Sequence, residues 1–550
     1  MPLRTALPAR DGRLSIDDAA DGDDLAYPPC GLLCGDGAVT RALLPRPRFV
    51  DYLEGSVQWR SPLRVSVDAP WREVVATFAD DLRRSVGWDV QFVQPSDPCD
   101  LEVRELPELG VEEYQLAIAE RTIVEAGTAR GLSYALTVLR QLGPLELWSE
   151  SATPLEVIEL PCLVLQDGPD FEWRGAHLDV ARHFFGVETV CRLIDLLAAH
   201  RLNRLHLHLN DDQGWRVEIP AWPRLREVGS MRRSSPVGHN RDGVDDGVPH
   251  GGCYSVHDLA TIREHARRRQ VEIVPEIDLP GHAQAVIAAY PELGNHPGES
   301  LEVWTKWGIS EHVLNVSDAA LDFADDVVSF VGSLFPDSPV HIGGDECPTT
   351  EWETSDAALA TMAEHGFARA RQLQGLFTER MASTLRRSGH EVVAWDEVLD
   401  AGVPAGTVIA AWRGVDKALE AARRGLDVVM APMQYLYFDW LSSEDAAEPV
   451  AVHESPSVTT WEKVYGFSVV PVDLEPWLRH HIRGAQAQLW SEYISTRDRL
   501  DYMAFPRLAA FSEVVWGTTT TEHEFRARLV EHQARLARMG VHSRDVESTS

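Results

Sequence analysis

Hydrophobic and polar positions follow two different patterns along the chain. Up to about residue 165, short alternating runs are interleaved with two stretches of helical spacing. Arg64-Val65-Ser66-Val67, Trp88-Asp89-Val90-Gln91-Phe92 and Leu101-Glu102-Val103 alternate with the period of a half-buried strand. Residues 113–118 and 122–126 read as a hairpin around Glu120-Arg121, and 71–86 and 128–142 read as helices. The pattern predicts a small α+β domain over 45–165. Beyond residue 166 it changes to strand, helix, strand, helix. The eight apolar runs 176–180, 204–209, 271–277, 340–343, 392–395, 407–412, 428–433 and 485–490 read as buried strands. Helical stretches at 187–199, 256–268, 321–335, 368–387 and 416–424 separate most of them. This alternation predicts an α/β fold, a (β/α)8 TIM barrel over 166–518, with long loops at 211–254 and 278–317. An Arg- and Glu-rich amphipathic helix at 521–540 lies in a C-terminal segment, 519–550. Residues 1–44, rich in Asp, Gly, Ala and Pro, predict an irregular lead-in.

A barrel of this kind carries its chemistry at the carboxyl ends of its strands. In chain order those ends supply Asp179, Arg182 and His183; Asn210, Asp211 and Asp212; Glu276, Asp278 and His282; and Asp345 and Glu346. The last four supply Trp395, Asp396 and Glu397; Trp412 and Arg413; Tyr437 and Asp439; and Trp490 and Glu492. Carboxylates, tryptophans and two arginines suit a carbohydrate: aromatic faces stack on sugar rings, and charged groups take the hydroxyls. Within Val340-His341-Ile342-Gly343-Gly344-Asp345-Glu346, two acids end a core strand, a costly place unless they are solvated or employed. The two glycines permit a tight turn or a close approach. His206-Leu207-His208 puts two imidazoles on one face of a strand, as in a metal-hydrolase ligand pair. No later set of residues completes three or four ligands, so the pair reads as hydrogen-bonded barrel histidines, with no metal.

Bulk properties narrow the function. The 550 residues are 44% hydrophobic and 25% charged, ordinary for a large globular chain. A net charge of −34 argues against nucleic acid or an anionic membrane as partner and suits a small neutral or cationic substrate. No apolar run has the length of a membrane span. The segment from Met1 to Pro8 lacks an apolar leader core, which predicts a cytoplasmic protein, or a secreted one if a leader is missing. Seven scattered cysteines do not form a disulfide framework. Cys30 and Cys34 read as unrelated thiols, and Cys347 as a packing residue.

These strand ends resemble those of the family 20 glycoside hydrolases, the exo-acting β-N-acetylhexosaminidases. The resemblance is carried by Leu178-Asp179-Val180-Ala181-Arg182-His183-Phe184-Phe185, by the run from His206 through Asp211-Asp212-Gln213-Gly214-Trp215-Arg216, and by Pro275-Glu276-Ile277-Asp278-Leu279-Pro280-Gly281-His282. It continues through His341 to Glu346, Ala394-Trp395-Asp396-Glu397 and Gln486-Ala487-Gln488-Leu489-Trp490-Ser491-Glu492. Residues 45–165 resemble the family's non-catalytic α+β domain. The resemblance implies a retaining, substrate-assisted hydrolase without a cofactor, acting on small glycans that end in N-acetylhexosamine. It makes Glu346 the general acid and base, and Asp345 the group that orients the substrate acetamide. Tyr437 would hold the acetamide carbonyl, and Trp395, Trp412 and Trp490 would wall its pocket. Arg182 and Glu492 would bind O3 and O4, and Asp439 O6. Asp211 and His282 would form a relay behind Glu346, with Asp278 orienting His282. Two other readings stand beside this one: a catalytically silent sugar-binding relative, and a metal-dependent barrel hydrolase using His206 and His208.

Overall fold

The computed structural model describes residues 42–445, 448–451 and 458–546. Most of the expected lead-in, with Cys30 and Cys34, lies outside the described residues. The chain divides into two compact units at Pro169/Asp170.

The first unit is a seven-stranded sheet with two helices. Its strands are β1 (Phe49–Trp59), β2 (Leu63–Ser66), β3 (Val90–Val93), β4 (Leu101–Glu105), β5 (Tyr114–Ile118), β6 (Thr122–Ala126) and β7 (Ile158–Asp167), in the order β1-β7-β5-β6-β4-β2-β3. Helix α1 (Arg72–Val86) ends at Gly87 in the left-handed conformation, and α2 (Ala129–Leu142) starts where the Thr128 hydroxyl accepts from the Arg130 N–H. The pattern did not predict β1 and β7. β1 is an edge strand with mostly half-exposed or exposed residues, so it has no clean alternation. β7 contains Pro161, which falls at the register shift between Tyr52 and Ser56, where the ladder is already interrupted.

The second unit is the expected barrel. Its strands are β8 (Trp173–Asp179), β9 (Arg204–His208), β10 (Glu272–Glu276), β11 (Val340–His341), β12 (Val392–Trp395), β13 (Val408–Ala411), β14 (Val428–Met430) and β15 (Ile482–Leu489). All are parallel, and β15 pairs with β8 to close the ring. Helices α3 (Val187–Ala199), α4 (Val256–Arg268), α5 (Asp318–Leu334), α6 (Gln374–Arg387) and α7 (Val415–Arg423) alternate with the strands, and α8 (Arg507–Trp516) and α9 (Glu522–Arg538) follow β15. Ser255 with Asp258 and Thr521 with Glu524 form capping boxes at α4 and α9. α9 belongs to this unit; its fully buried Phe525 stacks on Tyr465 at 4.1 Å. Branched aliphatics usually fill such a barrel. Here His177, His206, His208, Glu276, His341, Gln486 and Gln488 are buried instead, an interior that is polar on the side leading to the strand ends.

Candidate active site

The Gly343-Gly344 turn fixes the centre of the site. Gly343 has φ +61, and a Cβ there would lie 2.0 Å from Asp278 Oδ1. Only glycine lets the end of β11 pass that close to the segment after β10. The Gly344 N–H donates to Asp278 Oδ1 at 2.7 Å, and Gln374 Nε2 donates to the Gly344 carbonyl at 2.6 Å. Asp345 and Glu346 therefore leave the strand in fixed directions. Asp345 is buried, whereas 35% of the Glu346 side chain is exposed. Glu346 has φ +44 and His282 has φ +47, conformations that cost a side-chain-bearing residue free energy.

His282 stands behind both acids. Its Nε2 lies 3.7 Å from Glu346 Oε2 and 3.9 Å from Asp345 Oδ2. Its Nδ1 is hydrogen-bonded to Asp211 Oδ1 at 3.1 Å. Burial opposes charging this ring, but the Asp211 carboxylate, followed by hydrogen bonds to Asp211 and Asp212, holds its pKa well above the ordinary value. Burial would also raise Asp211, yet Arg182 and His282 hold that carboxyl well below the usual range. Asp278 differs from expectation. It does not hydrogen-bond His282; it takes the Gly344 N–H and shares a hydrogen bond with Asp345. The groups that orient His282 are Asp211 and Asp212. Burial pushes Asp278 up to about 7, and burial together with the Asp278 charge pushes Asp345 well above the usual carboxylate range. The two acids compete for one proton.

Arg182 forms the opposite wall. Asp179 accepts from the Ala181 and Arg182 N–H groups at 2.7 and 3.1 Å, which fixes the turn after β8. The guanidinium then reaches Gln213 Oε1 at 3.0 Å and Asp211 Oδ2 at 2.7 Å, and lies 5.0 Å from the centre of the Trp490 ring. Glu492 and Asp439 sit on this side. Burial raises both, Arg182 opposes it at Glu492, and the Glu492 charge adds to it at Asp439. Among the described residues, Asp439 Oδ1 and Glu492 Oε2 are buried with no hydrogen-bond partner, as sugar-binding oxygens would be. His183 is fixed by Ser491, whose hydroxyl accepts from its N–H at 2.9 Å.

The third wall is aromatic. Trp395, Trp412, Tyr437 and Trp490 pack in one cluster, with Tyr437 6.0 Å from Trp412 and 6.3 Å from Trp490. The Trp490 side chain hydrogen-bonds Tyr437, and burial holds the phenol protonated. Asp396 accepts from the Trp412 and Arg413 N–H groups at 2.8 and 3.0 Å, and so sets the chain that carries Trp412. Arg507 donates to the Phe438, Trp440 and Thr459 carbonyls, which fixes the segment bearing Tyr437 and Asp439. The long loops add side chains of their own. Gln213 donates to the Lys306 carbonyl at 2.9 Å, and Asp212 accepts from Gln284 and Ser310 N–H groups, both at 3.0 Å.

All twelve site residues read from the sequence thus lie around one region at the strand ends: Glu346, Asp345, His282, Asp211, Tyr437, Arg182, Trp395, Trp412, Asp439, Trp490, Glu492 and Asp278. The sequence placed Asp212, Gln213 and Glu397 at or beside strand ends but gave them no role in the site. Glu397 Oε2 accepts the Trp412 indole N–H at 2.9 Å. Its place next to Trp395-Asp396 was the available signal. His206 and His208 do not form an open ligand pair. His206 lies between Gln486 and Glu276, and His208 has Asp211 on one nitrogen and Glu276 on the other. Burial opposes charging His208, but the Glu276 carboxylate and its hydrogen bonds raise it to about 10, and a protonated ring offers no lone pair to a metal.

Comparisons with known proteins bear on this geometry. Residues 171–519 match the model of the glycosyl hydrolase family 20 catalytic domain, and residues 40–167 match that family's domain 2. A β-hexosaminidase from Porphyromonas gingivalis is 34% identical over 483 residues, which is 86% of this chain and 60% of that protein. The chain therefore spans about three-fifths of that relative. The crystal structure of an exo β-N-acetylglucosaminidase from Vibrio harveyi in complex with N-acetylglucosamine aligns with TM-score 0.82 and 31% identity, covering 92% of this chain and 79% of that one. The Streptomyces plicatus N-acetyl-β-hexosaminidase aligns with TM-score 0.79 and 30% identity, covering 92% and 96%.

Proposed function

The chain belongs to glycosyl hydrolase family 20, and from that premise we propose that it is an exo-acting, retaining β-N-acetylhexosaminidase. It removes terminal GlcNAc or GalNAc from the non-reducing end of glycans or chitin fragments. The observation that carries this reading is the pair Asp345 and Glu346, one buried and one open, both facing His282.

Retaining glycosidases of the two-carboxylate type place an acid and a nucleophile about 5 Å apart on opposite sides of the bond. Two consecutive residues suit a different route, in which the substrate supplies its own nucleophile. Glu346 protonates the leaving oxygen, and the 2-acetamide oxygen attacks the anomeric carbon to give an oxazolinium ion. Asp345 accepts the acetamide N–H. Burial and the Asp278 charge favour a proton on Asp345 in the free site, and the positive charge that builds on the ring favours its carboxylate, the shared proton passing to Asp278. The Tyr437 phenol donates to the acetamide oxygen. Protonated His282 favours the Glu346 carboxylate left after proton transfer, and that carboxylate then activates water. Arg182, Glu492 and Asp439 engage the outer hydroxyls.

Turnover of 4-nitrophenyl N-acetyl-β-glucosaminide tests the reading. The wild type is expected to cleave it, to leave the matching glucoside untouched, and to be inhibited by a thiazoline mimic of the intermediate. Binding without turnover would favour the silent relative, and equal turnover of the glucoside would rule out the substrate-assisted route. Glu346→Gln is expected to lose roughly 10² or more in kcat on poor leaving groups and less on activated ones. Asp345→Asn is expected to lose a similar factor, about 10², on both.

A further inference from the structure

Glu276 lies in the barrel interior, outside the groups that reach a sugar. Its side chain is fully buried, yet it collects four neighbours from three other strands. His208 Nδ1 is 2.5 Å from Oε2, and His206 Nε2 is 3.0 Å from the same oxygen. The Trp395 indole N–H donates to Oε1 at 2.8 Å, and His341 Nδ1 is 3.0 Å from Oε1. Removing such a charge from water is expensive, and aliphatic residues fill the inner layer of a barrel without that cost. Stability alone gives a weak reason for a carboxylate here.

Two lines of contact leave this residue. One runs from Oε2 to His208, then 3.0 Å from His208 Nε2 to Asp211, 3.1 Å from Asp211 to His282, and 3.7 Å from His282 to Glu346. Charges alternate along it: carboxylate, imidazolium, carboxylate, imidazolium, acid. The other runs from Oε1 to Trp395, in the aromatic cluster with Tyr437 and Trp490. We propose that Glu276 is a positioning residue that aligns both arms of the reaction at once, the His282 arm through His208 and the acetamide wall through Trp395. This inference rests on the hexosaminidase reading above.

The test is a double-mutant cycle of Glu276→Gln and His282→Gln, read in kcat and KM on N-acetylglucosaminides with phenyl and 2,4-dinitrophenyl leaving groups. Glutamine keeps an acceptor for the Trp395 N–H and removes the charge that holds His208. The single Glu276→Gln variant is expected to lose about ten- to a hundredfold, in kcat more than KM, and more on the phenyl substrate. The double variant is expected to be as slow as the slower single one, since both act along one line. Additive losses, or an equal loss on both substrates, would overturn the proposal. If a thermal melt shows that Glu276→Gln does not fold, His208→Gln enters the same cycle, and additivity there would overturn it equally. A wild type that turns over neither substrate defeats the underlying reading, whereas an active wild type with an additive cycle defeats only this one.

Discussion

A carboxyl group that stays protonated near neutral pH donates hydrogen bonds and carries no charge, and Glu397 is such a group. Burial, then the charges of Asp345 and Asp396, raise it to about 8 from an ordinary 4.5. The folded value lies above the unfolded one, so its contribution is complete below pH 4.5 and is lost as pH rises through about 8. His208, at about 10 against 6.5, acts in the same direction over a higher window. The melting temperature of the wild type is expected to fall between pH 5 and 8 more steeply than that of Glu397→Gln, whose amide still accepts from Trp412. Parallel curves in a calorimetric pH series would remove this role. At this scale the sequence exposed the residues that gather at the strand ends, because they cluster in short runs such as Gly343-Gly344-Asp345-Glu346. It listed Glu276 at a strand end without a role, because its partners come from β9, β11 and β12 and meet only inside the closed ring. It joined Asp211 to His282, as found, but gave Asp278 the task of orienting His282, whereas Asp278 turns to Gly344 and Asp345.

Among the elements, the turn after β11 is the least tolerant of change. In Gly343→Ala a methyl group would meet Asp278 Oδ1 at 2.0 Å on a backbone at φ +61, so Asp278 and Asp345 must both shift. The variant is expected to lose about 1–3 kcal/mol of stability and most of its turnover. Gly298→Ala, with nothing within 4 Å of the added carbon, is expected to stay within about 0.5 kcal/mol by urea unfolding. A neutral Gly343→Ala would show that the close approach does not constrain the site. The barrel strands were legible because strands buried on both faces read as continuous apolar runs. β1 and β7 were not, since an edge strand has little to bury and a proline reads as a stop.

On the scale of the whole molecule, the charge of −34 sets long-range behaviour without touching the chemistry. A neutral chitin fragment feels little of that field. Its KM is expected to change less than about twofold between low and high salt, while an oligosaccharide carrying free amino groups is drawn in at low salt and released as screening grows. Steady-state kinetics across a salt series decide this, and a strong salt dependence for the neutral substrate would implicate charge in its capture. A change of hydrophobic period near residue 166 marks the passage from the α+β sheet to the barrel, and the chain divides into two compact units at Pro169/Asp170.

The positive φ angles of His282 and Glu346 also bear on laboratory evolution. Glycine or asparagine would relax both positions. At His282 that relief is outweighed by the loss of the buried pair with Asp211, but Glu346 is partly exposed, so a library ranked for heat resistance alone would enrich substitutions at the proposed general acid, and its fittest members would be inert. Thermal selection of this chain has to be coupled to turnover, because an easy gain in stability lies at the proposed general acid.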